Sequence, residues 1–285
     1  MYMLIITIFT GIAILAVILA AAASYRSFQR RMKEETARLA QDIFCEEVTQ
    51  VSEEQLRQLP QPVSRWLRHT RFMERKVRIG SVTISQEGML RTKPEGKWMP
   101  FRAKQHSLPH MPSFIWMAII QAAPGIPIYG RDLYWKGQAD MLVKLMGVFK
   151  VGHAYGPEIN QGSLVRYLAE IVWYPPAALS PHITWEALDD NAARAIISYG
   201  GITASGIFEF QNTGLPVRFV AQRYKDAGGG PCTLEEWSVR MDAYKQFAGI
   251  LIPTQGEVSW NLRTGPFPWL RFEVKEVRFD QSLDL

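Results

Sequence analysis

Cysteine is nearly absent from this chain. Cys45 and Cys232 are the only two, far apart and in no CxxC or zinc spacing, so a disulfide framework is excluded and only a single bridge stays open. Catalytic signatures are missing too. There is no G-x-S-x-G elbow, no H-E-x-x-H helix and no glycine fingerprint following a strand. Ser205, in Ala-Ser-Gly, falls inside a strand pattern and reads as a packing residue. Gly228-Gly229-Gly230-Pro231 lacks the Lys-Ser/Thr and helix of a phosphate loop and reads as an exposed turn. Histidine is scarce, at five residues. His106 and His110 are four apart, but Pro109 and Pro112 forbid the helix that would align them, so no metal site and no cofactor is expected. Charge of one sign gathers only mildly, with 11 Lys/Arg against 8 Asp/Glu over residues 26–76. The net +5 and pI near 9.2 form a mild bias, without the basic face that nucleic acid requires; attraction to anionic lipid headgroups is a simpler use of it.

The most informative absence is at the start. Residues 1–25 contain no charged side chain. From Met3 to Ala23 the run is apolar except for Thr7, Thr10 and Gly11, and about 21 residues cover roughly the 30 Å hydrocarbon thickness of a bilayer. A cleaved signal peptide competes with this reading, since Ala21-Ala22-Ala23 resembles a cleavage site. The lack of a positive n-region and the length of the run favour an uncleaved transmembrane anchor. Arg26, Arg30, Arg31 and Lys33 follow the span, which by the positive-inside rule puts the remainder in the cytoplasm.

What is present is largely aromatic and β-patterned. Nine Trp, ten Tyr and fourteen Phe suit a large β core or a cavity lined for an apolar ligand. Residues 26–75 read as a helical stalk docking on the domain, with an amphipathic helix lying on the membrane as the alternative. In the stalk, Ser52-Glu53-Glu54-Gln55 is a capping box, Leu59-Pro60-Gln61-Pro62 is a break, and Val63, Trp66 and Leu67 form an apolar face. From Lys76 the period becomes two. Val77 and Ile79 begin the first strand, and Phe114–Ile120 is apolar on both faces and therefore covered on both sides. Lys136-Gly137-Gln138 and Gln211-Asn212-Thr213-Gly214 mark hairpins. The apolar phase flips between Val274 and Val277, which implies a bulge near Lys275-Glu276.

One segment differs from the rest. Residues 158–175 form a helix that is apolar nearly all round, with Ser163 as its N-cap and Pro175-Pro176 as its stop. It is too short to span a bilayer and so reads as a core helix. Arg166 and Glu170 interrupt its apolar surface. With Gly130-Arg131-Asp132, where neighbours on a strand must point to opposite faces, and with Glu158, they form a polar cluster. Either Arg131, Asp132, Glu158, Arg166 and Glu170 make a buried structural network, or they hold a polar headgroup or perform acid–base work.

Four phrases, Trp98-Met99-Pro100-Phe101, Gly130-Arg131-Asp132, Tyr167-Leu168-Ala169-Glu170 and Phe247 to Thr254, resemble a bacterial family of unknown function from about residue 57 to the end. The strand order with a late helix is similar to the LolA/LppX/RseB class of lipoprotein-carrier half-barrels. That resemblance implies a curved sheet shielding an acyl chain and an exported domain, opposite to the charge rule, so the side of the membrane stays open. The chain departs from that class in having no lipobox cysteine near its N-terminus.

The expected fold is therefore α+β, mostly β. A transmembrane helix at 1–25 and the stalk precede a curved antiparallel sheet of about ten to twelve strands over 76–285, wrapped on the 158–175 helix. The expected function is binding of a lipid or other apolar ligand, with Trp116, Phe208, Trp260 and Phe272 lining the concave face. The alternatives are a protein-interaction scaffold without ligand and a hydrolase-like enzyme using the polar cluster. The expected partner is the membrane, through residues 3–23, and not nucleic acid.

Overall fold

The computed structural model describes residues 2–43, 52–74, 79–226 and 230–280, and only the backbone at 4, 7, 13, 14 and 280. Cys45 and Phe44 lie outside the described residues; Cys232 is half-buried and unbridged.

Three helices come first. Helix α1 (Tyr2–Gln41) is one uninterrupted helix, so the apolar run and the charged stretch after it share an axis with no break at residue 25. Helix α2 (Glu53–Arg57) starts on the capping box: Ser52 Oγ accepts from the Gln55 N–H while the Gln55 side chain reaches back to the Ser52 N–H. Helix α3 (Gln61–His69) restarts after Pro60 with Pro62 in its first turn, where a missing N–H costs nothing. Its apolar face, Val63, Trp66 and Leu67, is fully buried.

Two antiparallel meanders follow. The first contains β1 (Ser81–Leu90), β2 (Met99–Leu108), β3 (Ser113–Ala123), β4 (Ile126–Trp135), β5 (Gln138–Leu145) and β6 (Phe149–Tyr155). The second contains β7 (Ile183–Asp189), β8 (Ala192–Tyr199), β9 (Ile202–Phe210), β10 (Pro216–Lys225), β11 (Thr233–Phe247), β12 (Ile250–Leu262) and β13 (Gly265–Asp280). Pairing of β1 with β13 joins them into one sheet of 13 strands, with β6 and β7 at its edges. The count exceeds the expected ten to twelve because the edge strand β6 is largely exposed and β11 alternates only weakly. The first strand among the described residues begins at Ser81, after Ile79; the start expected at Lys76 and Val77 lies outside the described residues. The bulge near Lys275 is present: Ser85 faces Glu276 and Gln86 faces Val274, leaving Lys275 unpaired.

The chain must cross from one edge of the sheet to the other, between β6 and β7, and it does so through α4 (Pro157–Glu170). A twisted sheet of this width curls, and α4 crosses its concave face. Gly156, at φ 110°, precedes the helix and Pro157 opens it, so Ser163 is an internal residue rather than the cap. A 3-10 turn at Ile171–Trp173 and another at Pro175–Leu179 end the segment, the prolines having stopped the α-helix as expected.

Both faces of β3 are covered. Phe114, Ala118 and Ile120 are buried in the main core on the concave side, whereas Ile115 packs with Leu39 of α1 on the convex side. Phe28 and Met32 of α1 bury against Leu142 on the same outer face. Ser24 Oγ donates to the Gly147 carbonyl at 2.6 Å, which marks where α1 meets the domain.

Candidate functional site

Helix α4 reaches both wings of the sheet and leaves the middle open. Toward β5, Asn160 Oδ1 accepts from the Ala139 N–H at 2.7 Å. Toward β10, Gln161 Nε2 donates to the Gln222 carbonyl at 3.0 Å, and the Gly162 carbonyl accepts from Arg223 Nε at 2.9 Å. Toward the turn after β2, Tyr167 Oη donates to the Leu108 carbonyl at 3.0 Å. The central strands β1, β2, β12 and β13 are farther off. Between them and α4 lies a cavity of about 440 Å³, inside the usual small-molecule range of about 300–1,000 Å³. Beneath α3, outside the cavity, Trp66 stacks on Phe208 at 6.2 Å. Trp173 closes against Phe272, edge to face at 5.3 Å, with its Nε1 donating to the Pro253 carbonyl.

One ion network crosses the cavity wall. Arg166 donates from Nε to Glu170 Oε1 at 2.7 Å, from Nη1 to Asp132 Oδ2 at 2.7 Å and from Nη2 to Gln105 Oε1 at 2.8 Å. Gln105 Nε2 closes the ring onto Glu170 Oε2 at 2.6 Å. The guanidinium also lies 4.7 Å from the Phe114 ring centre and 5.2 Å from that of Trp116. Burial alone would lower the Arg166 pKa; Glu170 and Asp132 outweigh it and leave it above the ordinary value. Both carboxylates are thereby committed to one cation.

Arg131 is elsewhere. As the alternation of a strand requires, it points away from Asp132, to the convex face beneath α1. There it is fully buried between Glu35, at 3.1 Å, and Asp140, at 2.6 Å. Asp140 loses solvent there, which would raise its pKa, but His153 and Arg131 beside it hold the carboxyl below its usual value. Glu158 is apart as well, exposed on the first turn of α4. Of the apolar quartet, Trp116, Trp260 and Phe272 line the cavity. Phe208 does not; it is buried under Trp66 and against Phe219 at 4.7 Å. Ser205 is exposed on the outward face of β9, not packed.

Three polar residues escaped the sequence. Gln105 and Gln86 are buried, and Gln86 Oε1 accepts from Trp116 Nε1 at 3.1 Å. Arg223, on β10, lies 4.8 Å from the Trp237 ring centre and 5.7 Å from that of Trp260. Burial, then the Arg166 charge nearby, lower its pKa to about 10. A polar residue on a strand carries no sequence mark that it faces a cavity, so none was available. His106 Nδ1 meets Thr83 Oγ1 at 3.0 Å and His110 Nε2 meets the Asp42 carbonyl at 3.0 Å. Among the described residues no group of three or more His, Cys, Asp or Glu is placed to hold a metal.

A wide antiparallel sheet curled around one crossing helix defines a half-barrel with an internal apolar cavity. The chain belongs to DUF6544, a family of unknown function, whose model matches residues 49–272. No curated protein matches it in sequence. Among solved structures it is similar to a putative outer membrane lipoprotein-sorting protein domain from Vibrio parahaemolyticus, at 12% identity over 76% of this chain and 92% of that one, TM-score 0.40. It is also similar to the LolA superfamily protein NE2245 from Nitrosomonas europaea, at 13% identity over 79% and 93%, TM-score 0.42. A DUF1329 family protein from Desulfovibrio piger matches at 12% identity over 72% and 87%, TM-score 0.39. Likenesses this distant carry nothing about ligand or activity. By length and composition, α1 is apolar enough to cross a membrane, which makes it a candidate anchor or signal sequence.

Proposed function

We propose that this protein is a membrane-anchored binder of an apolar small molecule, acyl lipids first among them. The observation that carries this reading is the cavity of about 440 Å³ under α4, walled by Trp116, Trp260, Phe272 and other aromatic and aliphatic side chains. Each methylene buried there contributes about 0.8 kcal/mol. Residues before Ser24 are largely exposed, as a segment meant for lipid would be, and α1 continues from them onto the sheet without a flexible joint. This arrangement supports a domain held against the bilayer, where acyl chains are abundant. The hydrolase-like alternative draws less support, because Asp132 and Glu170 are both bonded to Arg166, and Arg131 and Glu158 face away from the cavity. Native mass spectrometry of the protein after mild extraction is expected to find a co-purifying lipid, and adding fatty acid or phospholipid to stripped protein should change the emission of the cavity tryptophans. A bare mass together with unchanged emission would reject the binding reading in favour of a ligand-free scaffold.

A further inference from the structure

Three arginines line the cavity and they are not equivalent. Arg91 already donates from Nε and Nη1 to the main-chain carbonyls of Pro268 and Pro94. Arg166 is matched by Asp132 and Glu170. Arg223 has no ion pair among the described residues; its one hydrogen bond there runs from Nε to the Gly162 carbonyl. Arg223 is half-buried, and the faces of Trp237 and Trp260 offset part of its lost hydration. Arginine has five N–H donors, and only Nε is taken. The Nη1 and Nη2 groups are left as the planar fork that matches a carboxylate or phosphate with two parallel hydrogen bonds.

The local build of α4 holds this fork in place. Gly162 sits within the helix. A Cβ there would come 3.4 Å from Arg223 Nε and 3.6 Å from its Cγ. The arginine side chain thus lies against the helix at ordinary van der Waals distance, and its Nε donates to the Gly162 carbonyl. The lowered pKa of Arg223 is what an unmatched cation in this setting should display, and a bound anion would reverse it.

We infer that the cavity takes an apolar molecule carrying one anionic group, a carboxylate or a phosphate, which Arg223 binds while the apolar body lies along Trp116, Trp260 and Phe272. This rests on the apolar-ligand reading and adds the charge and the place of the headgroup. Chain length is held constant in the test, and only the head is varied. Full-length protein, stripped of lipid and kept in amphipol, is titrated with dodecanoate, dodecyl phosphate, dodecanol and inorganic phosphate, with tryptophan emission and calorimetry as readouts. Dodecanoate and dodecyl phosphate are expected to bind at least about tenfold more tightly than dodecanol, as a charge-assisted hydrogen bond implies. Arg223→Gln should erase that preference and leave dodecanol within about twofold of its original affinity. Equal affinity for acid and alcohol in the unaltered protein overturns the anion inference and leaves the apolar reading standing. Failure of all three amphiphiles to bind overturns both. Binding of inorganic phosphate without the amphiphiles means a free-anion site and rejects the amphiphile. A preference that survives in a folded Arg223→Gln variant assigns the headgroup to another residue. Should that variant not fold, Arg223→Lys, which keeps the charge and loses the fork, takes its place, and an undiminished preference there overturns the assignment to Arg223.

Discussion

Arg166 carries a full charge on a helix face that is otherwise apolar, and it keeps that charge because Glu170, Asp132 and Gln105 all reach it. Replacing it by leucine would leave two carboxylates without their cation, and breaking a buried pair from one side costs about 3–5 kcal/mol. Arg65 is a fair control. It is half-exposed and bonds only a main-chain carbonyl, at Asp190, and the Asn191 side chain at 3.1 Å. Arg166→Leu is therefore expected to lower the thermal midpoint well below that of Arg65→Leu, and equal midpoints in a melting series would mean that Arg166 is solvated. The pairing of Arg166 with Glu170 was legible, since two charges one turn apart on a buried helix must find partners. The separation of Arg131 from Asp132 was legible too, from strand alternation. Which of the two would face the helix was not, because alternation fixes opposition and not direction.

At the scale of elements, the hairpin turns do more than reverse the chain. The β4–β5 turn at Lys136-Gly137 has φ of 50° and 78°, both positive, as a two-residue hairpin turn of the favoured hand requires. It meets the β8–β9 turn: a Cβ on Gly137 would lie 2.8 Å from Gly200 Cα, and one on Gly200 would lie 2.6 Å from Gly137 Cα. The two wings of the half-barrel touch there, backbone to backbone. Gly125, in the β3–β4 turn, has a similar φ of 74° but open space around it. Gly125→Ala should cost only the backbone preference, about 1 kcal/mol. Gly200→Ala should cost about 1–3 kcal/mol more, because neither main chain can yield. Chemical denaturation of the two variants measures the difference, and matching midpoints would show that the wings part easily. The β9–β10 turn was readable as Asn-Thr-Gly, the Lys275 bulge from the phase change and, of the two turns that meet, the β4–β5 turn as Lys-Gly-Gln. Their mutual contact was not, because Gly137 and Gly200 are brought together only by the curl of the whole sheet.

For the molecule as a whole, α1 joins two unlike halves along one axis. Its first half is exposed and apolar; its second half buries Phe28, Met32, Thr36 and Leu39 against the convex face and brings Glu35 to the buried Arg131. Deleting residues 1–23 should remove membrane partitioning and leave a folded, soluble protein. Deleting 1–41 should also strip the outer face of β3–β5. Burial of each large apolar side chain contributes about 1.5–3 kcal/mol, and 1 kcal/mol shifts the midpoint of a domain this size by about 2–4 °C. The longer deletion should therefore melt about 10 °C or more below the shorter one. Extraction of the full-length protein by carbonate would contradict the first expectation, and equal melting of the two truncations the second.

The amino-acid sequence by itself determined the apolar N-terminal run, the antiparallel character of the sheet, the capped and broken short helices and the one buried helix. These are signals of local period and punctuation, carried by neighbouring residues whatever the rest of the chain does. Only the tertiary structure decided that α4 links the two sheet edges across the concave face, that Phe208 belongs to a Trp66-capped core, and that Arg223 stands unmatched in the cavity. Such facts depend on residues far apart in the chain meeting through the accumulated curl of thirteen strands, and no local period encodes which side chains that curl brings face to face.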